Sequence, residues 1–144
     1  MNALSTKHRW VASGAVLLVA SVLSATLAVR ATGQDTGAMV KPVFTQMLPN
    51  VPGKRVTIVR VFYGPGGFTR AHRHAGSVTA YITRGEIRSQ LGGGPVETFK
   101  VGQSFFEPPG ATHLISANAS NTEPAELIAV FVADEGAQLT TFIE

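Results

Sequence analysis

Ala71-His72-Arg73-His74-Ala75-Gly76 and, further along, Glu107-Pro108-Pro109-Gly110-Ala111-Thr112-His113 are the stretches that decide how this chain is read. On a β-strand alternate side chains share a face, so His72 and His74 point one way and Arg73 the other. Two imidazoles so placed can grip one cation. A third, His113, brought in from a distant strand, completes a three-nitrogen set that leaves other coordination positions open to water or substrate. Such an open site suits chemistry better than structure.

Outward from these histidines the sequence is a series of short runs rich in β-branched and aromatic residues: Val56 to Tyr63, Ser77 to Thr83, Ile87 to Leu91, Val96 to Lys100, Ser104 to Glu107, His113 to Ala117, Leu127 to Val132 and Leu139 to Ile143. None is long enough for a convincing helix, and strands at this spacing with turn signals between them predict an all-β sandwich or barrel. Gly64-Pro65-Gly66-Gly67 and Leu91-Gly92-Gly93-Gly94-Pro95 supply the backbone freedom that sharp reversals need. Arg84-Gly85-Glu86 predicts a hairpin between antiparallel strands. Pro108-Pro109-Gly110 cannot lie inside a central strand, so it ends one and aims the segment carrying His113.

The chain opens differently. Lys7, His8, Arg9 and Trp10 precede an apolar run from Val11 to Val29 interrupted only by small residues. A basic stretch before a hydrophobic one reads as an export signal or an uncleaved membrane anchor. The run exceeds the roughly 7–15 residues of a signal core and approaches the roughly 20 that span a bilayer. The expected organisation is residues 1–31 as signal or anchor helix, 32–40 as linker and 41–144 as the folded domain, exported to a periplasmic or extracellular space. Any membrane contact would run through an uncleaved N-terminal segment.

The formal charge of +3 does not mark a nucleic-acid binder. Lys7, Arg9 and Arg30 belong to the targeting segment, leaving nine basic against nine acidic residues in the remainder. Cysteine is absent, which excludes disulfides, thiolate metal sites and thiol nucleophiles. Ser77, Ser104 and Ser116 lack a nucleophile-elbow context, and Gly92-Gly93-Gly94 lacks the lysine of a phosphate loop.

The two histidine segments resemble the paired motifs of the cupin superfamily. Gly66, His72, His74 and Gly85 match G-x5-H-x-H-x3-E-x6-G; Gly102, Pro108, Gly110 and His113 match G-x5-P-x-G-x2-H-x3-N, with Asn118 one place beyond the asparagine position. The resemblance implies a cupin jelly-roll, a double-stranded β-helix barrel, holding a divalent metal through His72, His74 and His113. It departs at the acidic ligand, where Val78 stands in place of glutamate, so the expected site is three neutral imidazoles. Similarity to the three-histidine branch of cupins implies iron first, with manganese, zinc, nickel and copper as other occupants.

Glu107 is a candidate replacement for the missing carboxylate, a rim charge, or an acid or base toward substrate. Gln90 would donate to a bound oxygen if it pointed inward. Phe105 and Phe106 must face opposite ways, so one of them lines a pocket or a contact surface. The expected function is a small-molecule metalloenzyme of dioxygenase or isomerase type acting on an anionic chelating substrate, with Glu107 and Gln90 as catalytic candidates. The competing expectation is a non-catalytic binding or sensing module of the cell envelope. Cupins commonly pair, so the resemblance also implies a homodimer.

Overall fold

Runs of β-branched and aromatic side chains pack well on a half-buried pleated surface, and the runs named above are strands. The computed structural model describes residues 37–144. The expected N-terminal helix lies outside the described residues. In chain order the strands are β1 (Ala38–Met47), β2 (Lys54–Tyr63), β3 (Phe68–Thr69), β4 (His72–His74), β5 (Ser77–Arg84), β6 (Glu86–Leu91), β7 (Glu97–Lys100), β8 (Ser104–Glu107), β9 (Thr112–Asn118), β10 (Ala125–Asp134) and β11 (Thr140–Phe142). No helix occurs among the described residues, and none there is long and apolar enough to cross a membrane.

The strands form two antiparallel sheets, ordered β1-β2-β10-β5-β8 and β11-β4-β9-β6-β7, with β3 added beside β9. The core between them draws on Val59, Val61, Val78, Ala80, Ile82, Leu127, Ala129 and Phe131 from the first sheet and Ile87 from the second. Buried positions alternate with exposed ones along β5 and with half-buried ones along most of β10, as the period of two requires.

Two features differ from the sequence expectation. The hairpin predicted at Arg84-Gly85-Glu86 is a corner: β5 pairs with β10 and β8, whereas β6 pairs with β7 and β9. Gly85 carries the chain from one sheet to the other at φ +65°, and a Cβ there would sit 2.8 Å from the Pro124 carbonyl oxygen. The second is β1, which has no counterpart in the predicted runs and takes in positions 38–40 assigned to the linker. β1 contains Pro42, yet it is an edge strand, and its pairing with β2 shifts register between Pro42 and Phe44. Edges and bulges are where proline is tolerated.

Local irregularities aim the site. In β9 the register shifts opposite Gln90 and Leu91, so His113 and Ser116, three residues apart, both face inward. A regular strand would have put them on opposite faces. After β4, Gly76 packs so closely on β10 that a Cβ would collide with the Val132 carbonyl and lie 2.7 Å from Ala133 Cα. The Pro108-Pro109-Gly110 turn is lashed to β4 by a hydrogen bond from the Gly110 N–H to the His74 carbonyl, 2.8 Å.

Candidate metal centre

His72 and His113 are direct partners across β4 and β9, and His74 lies two residues along the same face of β4. All three side chains are buried. Arg73, between His72 and His74, points outward and donates to Thr112 Oγ1 at 3.0 Å.

The ring orientations are held from behind. His72 Nδ1–H donates to the Arg70 carbonyl at 2.6 Å, and His74 Nδ1–H to the Leu139 carbonyl at 2.8 Å, with Thr140 Oγ1 at 3.2 Å. Carbonyl oxygens only accept, so both Nδ1 atoms carry the proton and both Nε2 atoms present lone pairs. Those lone pairs face each other across 3.0 Å. Burial, reinforced by the neighbouring imidazoles His74 and His113, lowers the His72 pKa to about 4, against the raising effects of the Arg70 carbonyl and Glu107.

The expected all-imidazole site meets a fourth member. Glu107, at the end of β8, is the cross-strand partner of Val78, the position where the motif's glutamate is missing. Directly opposed residues on one sheet face have neighbouring Cβ atoms, so Glu107 delivers a carboxylate beside the place Val78 leaves without one. Its Oε2 lies 3.0 Å from His113 Nδ1 and 3.8 Å from His74 Nε2. The 3.0 Å approach is not aligned as a hydrogen bond, and neither Glu107 Oε2 nor His113 Nδ1 has a hydrogen-bond partner. Leaving a buried polar atom unpaired costs about 1–3 kcal/mol, more for a charge.

One ligand-type atom from each of His72, His74, Glu107 and His113 therefore lies within 4.8 Å of the others. Two opposed lone pairs, an unpaired carboxylate oxygen and an unpaired ring nitrogen form a donor set that a divalent cation satisfies. The residues present fit such an ion.

Sequence reasoning missed the supports. Ser89 Oγ lies 2.9 Å from His113 Nε2 and orients that ring. Its signal was available, since it alternates with Ile87 on the inward face of β6. By the same alternation Gln90 turns away, and its amide donates to the Gly94 carbonyl at 3.0 Å, so it is not brought to the cluster. Phe105 lines the cavity and meets the His113 ring edge-on at 5.9 Å, while Phe106 is exposed. Phe131 meets His74 edge-on at 5.0 Å.

The four donors open into a cavity of about 210 Å³. Its other walls are mainly apolar, including Val59, Val61, Leu127, Ala129 and Phe131 from the facing sheet, with Phe142 of β11 beside His72. Tyr63 was also missed. Its buried hydroxyl lies 2.8 Å from both Thr69 Oγ1 and Ser116 Oγ, and desolvation by burial pushes its pKa up.

Comparison with known proteins adds the family. A model described as the cupin domain matches residues 59–131, about half of the chain. No curated protein matches the sequence. An uncharacterised protein with a double-stranded β-helix domain from Klebsiella pneumoniae is similar at 23% identity, over 78% of this chain and 89% of that one, with a TM-score of 0.60. An oxalate oxidase is 20% identical over 76% of this chain and 56% of its own, with a TM-score of 0.60. A DMSP lyase from Ruegeria pomeroyi is 18% identical over 60% of this chain and 42% of its own, with a TM-score of 0.54. The chain thus spans about half the length of these two enzymes. At such identities the likeness is one of fold.

Proposed function

This chain belongs to the cupin family, and we propose that it is an exported small-molecule metalloenzyme, of dioxygenase or isomerase type, that holds one divalent ion through His72, His74 and His113 together with Glu107. The observation that carries the reading is the pair of Nε2 atoms held 3.0 Å apart by hydrogen bonds on the far sides of their rings. Export is supported by the basic and then apolar opening of the sequence. Iron is the ion proposed first, and a homodimer the assembly, to be checked by sedimentation.

When bound, such an ion would supply Lewis acidity and, if redox-active, electrons. The chain's own contribution is orientation and packing. Arg70, Leu139 and Ser89 fix the rings; Phe105, Phe131 and Phe142 pack edge-on against them; Glu107 would offset one unit of the ion's charge. An anionic chelating substrate would then bring the remaining charge.

The test is elemental analysis of protein purified from its own envelope and again after reconstitution. One equivalent of a first-row metal is expected, lost in the His72→Ala, His74→Ala variant. No bound metal under either condition defeats the reading.

One observation favours a second reading, a non-catalytic binding or sensing module. Among the described residues lining the cavity, Tyr63 is the one titratable group outside the cluster, and its hydroxyl is already engaged by Thr69 and Ser116. Oxygen uptake by the iron-loaded protein with diketones, thiols or catechols separates the two.

A further inference from the structure

Resting on the metal reading above, we propose that the cavity takes a singly charged chelating anion with an apolar body and rejects dianions of similar size. The wall composition and charge balance carry this. Among the described residues lining the cavity there is one formal charge, Glu107, and no lysine or arginine. Three neutral imidazoles and one carboxylate leave a divalent ion with a single net positive charge. One anionic head neutralises it.

Most of the wall that a second carboxylate would meet, Val59, Val61, Leu127 and Phe131 among it, is apolar and offers no hydrogen bond. The polar groups outside the cluster are the hydroxyls of Tyr63, Thr69, Ser116 and Thr140, which are neutral. Arg70 is not among the lining residues; its exposed guanidinium stacks over the outer side of the site on the Phe142 ring, 4.7 Å from the centroid, with solvent to hydrate its charge. The volume, about 210 Å³, is below the roughly 300–1,000 Å³ of drug-sized pockets, so the body is short.

The test uses the full chain loaded with cobalt(II), whose visible spectrum reports a ligand arriving at the ion. The two probes share an α-hydroxycarboxylate head: 2-hydroxy-4-methylpentanoate carries an isobutyl tail, and malate a second carboxylate. The first is expected to bind at least about tenfold more tightly, because an unpaired charge against an apolar wall is expelled. Aqueous cobalt prefers malate, which offers a third donor, so the expected order is a reversal imposed by the wall.

Val40, exposed and lining the cavity from β1, is the place to add a cation without disturbing the core. Val40→Arg is expected to narrow the gap by strengthening malate binding. Malate bound as tightly as the isobutyl acid, an isobutyl acid that leaves the spectrum unchanged, or a gap untouched by Val40→Arg would each overturn the proposal. Failure to take up cobalt would remove the metal reading itself, whereas cobalt uptake with malate preferred removes only the substrate class.

Discussion

The two sheets share one interior but put different chemistry into it. The β1-β2-β10-β5-β8 sheet presents Val59, Val61, Val78, Ala80, Leu127, Ala129 and Phe131. The opposite sheet presents His72, His74, His113, Ser89 and Ser116. Glu107 is the exception, a carboxylate on the apolar sheet next to Val78. One wall stabilises by burial; the other adds Ile87 to the core and the Ser116–Tyr63 hydrogen bond, but turns the three imidazoles toward a centre where Glu107 Oε2 and His113 Nδ1 lack hydrogen-bond partners. Folding energy and function are therefore largely separable here, and substitutions should sort accordingly.

The largest stability effect should come from the apolar wall. Phe131→Ala removes a buried ring that also backs His74, and should cost about 3–5 kcal/mol in denaturant titration. A cost near zero would mean that this wall is not the core.

The donor wall should show itself through pH. In the metal-free protein His72 titrates near pH 4 when folded and near its ordinary 6.5 when unfolded. Between those values the unfolded chain binds a proton that the folded chain does not. Stability should therefore fall as pH drops from about 6.5 to about 4, by up to about 3 kcal/mol from this group, and this contribution should level off below. His72→Gln should flatten that slope while leaving the other pH-dependent contributions in place.

The exception sharpens the contrast further. Glu107→Val should weaken metal binding by roughly 10–100-fold while costing little stability, since it removes an unpaired buried carboxylate. Adding Val78→Glu, which moves the carboxylate to the paired position, should recover most of the lost affinity in equilibrium dialysis. No recovery would show that the carboxylate's strand matters more than its place in the cavity. Smallest of all, Phe106→Ser on the outward face of β8 should change stability by no more than about 0.5 kcal/mol and leave metal content unchanged.

Most of the strand set was legible, because β2, β5 to β8 and β10 advertise themselves through β-branched and aromatic content and period-two alternation. The histidine pair was legible for the same reason. What escaped was set by distant partners. β1 carries Pro42 and is accepted only because it lies at an edge. Gly85 reads equally as a hairpin or a corner until Pro124 and Ala125 are seen packed against it. Glu107 could be named from sequence as a candidate, but its meeting with Val78 depends on the register between β5 and β8, which alternation within one strand does not determine. The bulge that turns both His113 and Ser116 inward has no local signature in Leu114-Ile115.

The most direct test of the centre is anomalous diffraction at a metal absorption edge, on crystals of protein purified without chelator. The account predicts one strong peak about 2.0–2.2 Å from a ring nitrogen of each of His72, His74 and His113 and from a carboxylate oxygen of Glu107. Rings joined to one another by hydrogen bonds, with no peak between them after metal soaking, would contradict it.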